Sequence, residues 1–503
     1  MSANAHTLLE FPKAFPTFGN QFASLGNDFF ASVQAQALKS SYLIATNQQL
    51  AVELGFDETL LKDDSFRQVF AGERLAPGSQ PIAAVYSGHQ FGVWAGQLGD
   101  GRALLLGDLE CKHGNSQVIE RFELQLKGAG QTPFSRMGDG RAVLRSSIRE
   151  YLCSEAMNAL GIPTSRALCL IGSDQYAMRE QPEKTAIVTR VATSFIRFGS
   201  FEHWYYRGEH EQLKQLADFC LIHYFPALQG ESNPYQAMLK EIVKRTAEMI
   251  AHWQAVGFMH GVMNTDNMSI LGLTLDYGPF GFMDGYQPQQ ICNHSDNQGR
   301  YAFHMQPRIG QWNCHALAQA MLPLIGDVDA TQEALSVYVP SFEQKHAQLI
   351  NAKFGLKESH ADDDALTSDF LNLMAAEGVD YTNSFRALSR YSQQIGAKNE
   401  ALRDLFIDRA GLDRWLERYK DRLVAEESNE EERHILMKSR NPKFVLRNYL
   451  AQQAIDAAEK KDFSELQRLF EVLQHPYEEQ IEAEHYAALP PDWAQTISVS
   501  CSS

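Results

Sequence analysis

Hydrophobic and polar residues alternate along one part of the chain and recur with helical spacing along others. Residues 122–127 read Phe-Glu-Leu-Gln-Leu-Lys, the period-2 pattern of a strand with one buried face. Extended patterning covers about 81–127 and returns at 186–191, and residues 112–115 read as a turn between strands. The first part of the chain is therefore predicted to be rich in strands.

Between residues 76 and 200 helical spacing appears once, and it dominates after about 211. Residues 141–160 carry an apolar side chain at every fourth position, and Gly161-Ile162-Pro163 ends the predicted helix. Residues 235–257 predict a long amphipathic helix that runs directly into the next loop. Residues 1–75 are predicted to mix helices and loops. Further helices are predicted over 311–325, 331–353, 366–376 and 399–423, with a charged helical tail over 440–487.

Composition narrows the possible functions. The 503 residues are 44% hydrophobic and 21% charged, as in ordinary globular proteins. The formal charge of −17 argues against nucleic-acid or anionic-membrane partners. No run approaches the roughly 20 apolar residues of a membrane span, and the first residues do not read as a leader, so a cytoplasmic protein is predicted. Residues 127–150 nevertheless hold five basic side chains against two acidic ones, which suits a bound polyanion such as a triphosphate.

The loop that begins at His260 reads His-Gly-Val-Met-Asn-Thr-Asp-Asn. Protein kinases carry H-R-D-x-x-x-x-N there, where the Asp accepts a proton and the Asn binds a metal ion. Aligned on His260, Asn267 keeps the metal position, Val262 replaces the catalytic Asp, and Asp266 adds a new carboxylate. Nine residues after Asn267, Asp276-Tyr-Gly resembles the metal-binding D-F-G. The loop predicts a kinase-like site that keeps Mg²⁺ or Mn²⁺ ligands but lacks the usual base.

Upstream residues fit the same kind of site. Gly96–Arg102 is a Gly-rich turn that could approach phosphates closely, although a plain hairpin turn explains it equally well. Lys127 ends the alternating strand and Glu150 lies in the following helix, the order of the lysine and glutamate that hold a kinase's nucleotide. Arg190 and Arg197 add two guanidinium groups suited to phosphate.

The order of elements predicts an α+β, protein-kinase-like fold of two lobes with extensions, since 503 residues exceed one simple core. Residues 1–75 would form an N-terminal extension and 76–205 a strand-rich, nucleotide-binding lobe. Residues 206–425 would form a helical lobe that carries the catalytic and metal loops. Residues 426–503 would form a helical extension with a flexible, cysteine-containing tail.

Four motifs resemble those of the selenoprotein O family, the YdiU group, over nearly the whole chain. They are the run Gln131–Arg141, the loop from His260, the turn Asp276-Tyr-Gly-Pro and the terminal Cys501-Ser-Ser. The resemblance implies a kinase-like protein adenylyltransferase that binds ATP in a flipped orientation. It also implies transfer of AMP to Ser, Thr or Tyr hydroxyls of proteins, with release of pyrophosphate.

Carried over position by position, the resemblance assigns a role to each site residue. It implies Asp266 as the proton acceptor, Asn267 and Asp276 as ligands of Mg²⁺ or Mn²⁺, and Glu150 as the partner of Lys127. The residues implied to contact ATP are Gly99, Gly101, Arg102, Lys127, Asp139, Gly140, Arg190, Arg197 and Asp276.

Cys501 lies in a polar tail where many eukaryotic members of the family carry selenocysteine. One reading is a spare thiol. The other is a redox latch, because cytosolic disulfides are usually transient and regulatory. Cys292 is the predicted partner, since it follows Asp276 by 16 residues in a polar segment.

Two further functions stay open. A conventional phosphotransferase could use Asp266 as a displaced base. A pseudokinase scaffold could bind ATP or partners without catalysis, although it would not need the metal ligands Asn267 and Asp276.

Overall fold

Ten of the twelve strands described lie before residue 200 in the computed structural model, which describes residues 11–12, 15–112 and 119–500. In chain order they are β1 (Phe30–Ser32), β2 (Tyr42–Thr46), β3 (Ile82–Ala84), β4 (Ser87–Gln90), β5 (Val93–Gln97), β6 (Ala103–Lys112), β7 (Ile119–Lys127), β8 (Ala142–Val143), β9 (Arg166–Met178), β10 (Pro182–Ala192), β11 (Phe258–Met259) and β12 (Gly281–Phe282).

Helices predominate from residue 198 onward and make the protein α+β, strand-rich in its N-terminal part and helical in its C-terminal part, as predicted. In chain order the helices are α1 (Gln48–Glu53), α2 (Glu58–Leu61), α3 (Asp64–Phe70), α4 (Leu144–Ala159), α5 (Phe198–Arg207), α6 (His210–His223), α7 (Pro234–Val256), α8 (Gln306–Ile325), α9 (Val328–Ser336), α10 (Tyr338–Lys353), α11 (Asp363–Glu377), α12 (Tyr381–Leu388), α13 (Glu400–Arg403), α14 (Arg409–Ala425), α15 (Glu430–Lys438), α16 (Asn448–Ala458) and α17 (Ser464–Leu473).

Two predicted helices are each divided in the structure. The helix predicted over 331–353 becomes α9 and α10, because Pro340 lacks an N–H group and is tolerated only in the first turn of a helix. The helix predicted over 399–423 becomes α13 and α14. Asp408 starts α14 by accepting a hydrogen bond from the Gly411 N–H at 2.8 Å. Apolar spacing alone did not reveal either interruption.

The chain forms two compact units. The first comprises the residues up to Val85, Leu98–Ser147 and Ser165–Phe195. Its sheet has the strand order β1-β3-β6-β7-β10-β9-β2, with β8 paired to β10, and the pairings described are antiparallel. Strands β1 and β2 come from residues 1–75, where only helices and loops were predicted. Three and five residues are too short for a clear alternating pattern.

Strand β7 is buried on both faces, whereas its alternation predicted one solvated face. Leu124 and Leu126 are fully buried in the hydrophobic core of the first unit. On the opposite face Glu123, Gln125 and Lys127 are only 5%, 1% and 8% exposed. The polar face is buried because other polar side chains of the same unit contact it.

The second unit comprises Tyr86–Gln97, Ile148–Thr164 and the described residues from Ile196 onward. Helix α7 is central to it and ends at Gly257, whose φ of 69° suits glycine. An aromatic core around Phe354, Phe370 and Trp415 lies among the later helices. Strands β4 and β5 form a hairpin that belongs to this unit, although the segments before and after it belong to the first.

No helix in the described part of the chain is long and apolar enough to cross a membrane.

Candidate active site

The first unit buries a cluster of polar side chains on its sheet. Arg190 on β10 lies opposite Gln125 on β7, and its guanidinium donates to the Gln125 side-chain oxygen. The Gln125 amide donates to Asp100 at 3.2 Å, and Glu123 accepts the Phe195 N–H at 2.8 Å. Lys127 ends the same strand on the same face. Two of the predicted ATP contacts, Lys127 and Arg190, therefore lie on adjacent strands within one polar cluster.

Glycines predicted to approach the nucleotide occupy crowded positions. A Cβ built on Gly99 would lie 2.5 Å from Phe134 Cγ, and the φ of Gly99 is 139°. A Cβ on Gly140 would lie 2.1 Å from the Gly130 carbonyl carbon. Only glycine fits at these two positions. Close packing within the protein therefore accounts for glycine at both positions, independently of any bound nucleotide.

Asp139 already has a cationic partner. Its carboxylate accepts two hydrogen bonds from Arg179, at 2.9 and 3.0 Å, and a third from the Arg141 N–H. The bond to Arg179 holds the pKa of Asp139 below its usual value. Gly101 and Arg102 immediately precede β6, and their predicted contacts with ATP stay predictions.

In the second unit the loop from His260 is anchored on both sides. The His260 ring stacks on Trp253 at 5.2 Å, and its Nε2–H donates to the Leu275 carbonyl at 2.9 Å. The Asn267 amide donates to the Val262 carbonyl at 3.0 Å. The loop is thus closed upon itself and fixed to the end of α7.

Asp266 is held in a nearly dry environment and is 8% exposed. Its Oδ2 accepts a hydrogen bond from the Gln90 amide at 3.1 Å, while its buried Oδ1 has no hydrogen-bond partner among the described residues. Burial raises the pKa of Asp266 to about 6, although the Gln90 bond and the Arg197 charge oppose that rise. A carboxylate with one unused oxygen and a pKa near neutrality is suited to accept a proton.

Arg197 connects the two acidic residues of the site. Its Nη1 donates to Asp276 Oδ2 at 2.7 Å and to the Asp266 carbonyl at 2.8 Å. Arg197 is 3% exposed, and its guanidinium lies 4.7 Å from the centre of the Tyr86 ring. Asp276 has a left-handed φ of 59°, which is uncommon outside glycine and frequent at functional sites. Sequence analysis predicted both groups but not the ion pair between them.

The β4–β5 hairpin holds the loop that carries Asp266, a role that the sequence did not reveal. The His89 N–H donates to Thr265 Oγ1 at 2.7 Å, and the Phe91 N–H donates to Asn264 Oδ1 at 3.1 Å. Together with the Gln90 bond, three consecutive hairpin residues contact three consecutive loop residues. The one sign of this contact in the sequence is the glycine at position 88. A Cβ there would lie 3.1 Å from the Asp266 backbone nitrogen, so the absence of a side chain allows the hairpin to approach the loop.

The oxygen atoms near this loop fit a hard divalent cation. Met268 and Thr274 form an antiparallel β-bridge. Asn267 precedes Met268 by one residue and Asp276 follows Thr274 by two, so both lie on the side of the bridge away from the connecting turn. The Asn267 amide donates through nitrogen, so its oxygen is turned away from that bond. No group of three or more His, Cys, Asp or Glu suited to a metal occurs among the described residues. One carboxylate and one amide fit Mg²⁺ or Mn²⁺, which bind mainly through substrate phosphates.

Cys292 lies against the same loop. Its thiol donates to the Met259 carbonyl at 3.6 Å, and a Cβ on Gly261 would lie 2.7 Å from its sulfur. Two residues later the His294 N–H donates to the Val499 carbonyl at 2.9 Å. The predicted partner Cys501 lies outside the described residues.

Glu150 is buried on α4 in the second unit, whereas Lys127 belongs to the first. Their predicted pairing stays a prediction.

The second unit thus brings the buried Asp266 together with Arg197 and Asp276, groups suited to phosphate chemistry, and Val262 stands at the position of the kinase base. The family model described as "Protein adenylyltransferase SelO" matches residues 14–474, and the chain belongs to this family. This confirms the family predicted from the motifs and, with it, the predicted class of enzyme, a nucleotidyltransferase.

Curated relatives agree over nearly their whole length. The chain is 55% identical over 484 residues to "Protein nucleotidyltransferase YdiU" of Herminiimonas arsenicoxydans, covering 96% of both proteins. It is 51% identical to the protein of that name from Dechloromonas aromatica, covering 98% of this chain and 99% of the relative. The Paraburkholderia xenovorans protein of that name is 52% identical, with 96% and 95% covered.

Proposed function

We propose that this protein transfers AMP from ATP to Ser, Thr or Tyr hydroxyls of other proteins and releases pyrophosphate. The observation that carries the proposal is the environment of Asp266, which is buried, has one unpartnered oxygen and lies beside Arg197 and Asp276. Val262, at the position of the kinase base, cannot accept a proton. We further propose that the protein has a kinase-like fold of two lobes and that it acts in the cytoplasm.

The proposed reaction is a single displacement at the α-phosphorus. The acceptor hydroxyl oxygen bonds to the α-phosphorus, the bond to the β-phosphate oxygen breaks, and pyrophosphate leaves with its electron pair. Asp266 takes the hydroxyl proton, a step that contributes about 10²- to 10⁴-fold. Gln90 fixes the carboxylate so that its unused oxygen accepts the proton.

Asn267 and Asp276 would hold Mg²⁺ or Mn²⁺, which would neutralise charge on the phosphates. Arg197 holds Asp276 through their ion pair and fixes the Asp266 backbone through a second bond. In the first unit, Lys127 and Arg190 would provide cationic contacts to the phosphates, and Gly99, Gly101, Arg102, Asp139 and Gly140 would line the nucleotide. We propose that ATP binds in an orientation flipped relative to that in kinases. Its α-phosphate would then face the acceptor, and its γ-phosphate would lie towards Arg190 and Arg197.

Incubation with α-labelled and γ-labelled ATP in parallel tests the function. Label transferred to protein from the α position alone supports AMP transfer. Transfer from the γ position alone would identify a kinase that uses Asp266 as its base, and no transfer from either would identify a scaffold. Asp276→Ala should abolish transfer because a metal ligand is lost, while the exposed Asp369→Ala serves as the matched control.

We also propose that Cys292 and Cys501 form a redox latch on the catalytic loop. The hydrogen bond between His294 and Val499 supports it, because each partner stands two residues from one of the cysteines. The other described cysteines are buried. A disulfide would tie the tail to the segment beside Gly261, so activity should rise with reductant. Peptide mapping of the non-reduced protein should recover a 292–501 peptide. An unchanged reductant response in Cys501→Ala would refute the latch.

A further inference from the structure

A cavity of about 600 Å³ in the second unit is cationic although the whole chain carries a charge of −17. Among the described residues that line it, none is an aspartate or a glutamate. The lining residues that matter here are Phe91, Arg300, Met305, Arg308, Trp312 and His315.

A second cavity of the same unit shows that this charge bias is not general. It measures about 520 Å³ and mixes both signs. Its charged lining residues are Glu231, Lys240, Glu241, Lys244 and Glu333. The first cavity therefore differs in charge rather than in size.

The two arginines of the first cavity are not neutralised by the protein. Neither Arg300 nor Arg308 forms an ion pair with a carboxylate in the described part of the chain. The Arg300 guanidinium lies 4.8 Å from the centre of the Trp312 ring, and its buried Nε has no hydrogen-bond partner there. Asp296 is close in sequence, but its oxygens accept the backbone N–H groups of Arg300 and Tyr301, at 3.0 and 2.7 Å.

Helix α8 contributes the outer wall. Arg308, Trp312 and His315 are spaced by four and three residues, so they share one face of the helix. Arg308 and His315 are exposed and Trp312 is half-buried. The wall thus presents an exposed cation beside an aromatic surface.

The cavity adjoins the loop that carries Asp266. Phe91 lines the cavity, and its N–H donates to Asn264 Oδ1. The Tyr301 hydroxyl donates to the same oxygen at 2.6 Å. Gln90, next to Phe91, bonds Asp266. The lining residue Phe91 is therefore the immediate chain neighbour of Gln90, which bonds the proposed base.

We propose that this cavity binds acidic side chains of the acceptor protein, close to the hydroxyl that is modified; this inference rests on the proposed function. Guanidinium groups bind carboxylates through paired, charge-assisted hydrogen bonds. Met305 and Trp312 offer apolar surface to the aliphatic part of a glutamate or to its neighbours. The acceptors are thus predicted to carry Asp or Glu beside the target residue.

Binding of two fluorescein-labelled peptides to the full-length protein, followed by anisotropy without nucleotide, tests the proposal. One peptide carries a single serine flanked by glutamates, and the other carries lysines at the same places. The wild type should prefer the acidic peptide, and its affinity should fall as salt screens the contact. Arg308→Glu should weaken acidic binding about 10- to 100-fold and strengthen binding of the lysine peptide.

Lys240→Glu is the matched control, because it makes the same reversal of charge in the second cavity. It should alter the affinity for neither peptide. Arg308 is exposed at the third residue of α8, where an acidic side chain suits the helix N-terminus, so the variant should fold normally. Equal binding of both peptides by the wild type, or equal behaviour of the two variants, would overturn the proposal. Tighter binding of oligothymidylate than of the acidic peptide would overturn it as well.

The outcome is independent of label transfer. A protein that binds the acidic peptide but transfers no α-label supports the docking cavity and contradicts the proposed function. Transfer of α-label without a preference for acidic peptides contradicts the docking cavity alone.

Discussion

Replacing Arg197 by methionine should destabilise the ligand-free protein, because the substitution leaves Asp276 without its buried cationic partner. The lost contacts include the 2.7 Å bond to Asp276 and the 2.8 Å bond to the Asp266 carbonyl. Removing one member of a buried ion pair costs about 3–5 kcal/mol. Since the Asp276 side chain keeps 17% of its surface exposed, water partly solvates it. We therefore expect a loss of about 3 kcal/mol in the free energy of unfolding.

Urea unfolding, followed by tryptophan fluorescence with and without Mg²⁺ and ATP, measures the loss. A cation bound at Asp276 would compensate its charge, so Mg²⁺ and ATP should narrow the gap between variant and wild type. Arg418→Met is the control, because the exposed Arg418–Asp369 pair should contribute less than about 1 kcal/mol. If Arg197→Met unfolds like the control, the pair does not stabilise the site. If the gap is the same with Mg²⁺ and ATP, no cation reaches Asp276.

The remaining predictions concern the base and the phosphates. Asp266→Asn should lower kcat about 10²- to 10⁴-fold while calorimetry finds ATP affinity unchanged; a fully active variant would refute the assignment. Because the pKa of Asp266 is raised to about 6 and the base must be ionised, wild-type transfer should fall about tenfold per pH unit below that value and level off above it. Gln90→Leu removes a bond that lowers this pKa, so the acidic limb should move to higher pH; an unmoved limb would show that Gln90 does not act on the base. Arg190→Met should weaken binding of ATP more than that of AMP, whereas an equal loss would mean that Arg190 serves the sheet.

Local signals predicted much of the fold and drew attention to the loop that begins at His260. Helix α7 was predicted within one residue at each end because its apolar spacing is long and Gly257 stops it. Asn267, Asp266 and Asp276 were singled out because the loop keeps the kinase spacing from His260 to Asn267 while Val262 replaces the usual base; their roles stay predictions. Short strands such as β1 and β2 carry too few residues to show a period.

Contacts between distant segments could not be predicted from the sequence. The alternation in β7 correctly indicated a strand, but its polar face is buried because Arg190 and Asp100 approach Gln125 from elsewhere in the first unit. Gln90 reads as an ordinary polar residue in a hairpin. Its partner Asp266 stands 176 positions later, and no local periodicity records such a pairing.

The β4–β5 hairpin also affects how the second unit folds and how it can be divided. Its contacts with Thr265 and Asn264 close loops of 176 and 173 residues, so they must wait for long-range chain closure, which is slow compared with helix formation. A fragment that began at residue 196 would contain Asp266, Asn267 and Asp276 yet lack the hairpin that bonds Asn264, Thr265 and Asp266. Complementing such a fragment with a synthetic peptide of residues 86–97 would show whether the loop from His260 needs this hairpin to adopt its conformation.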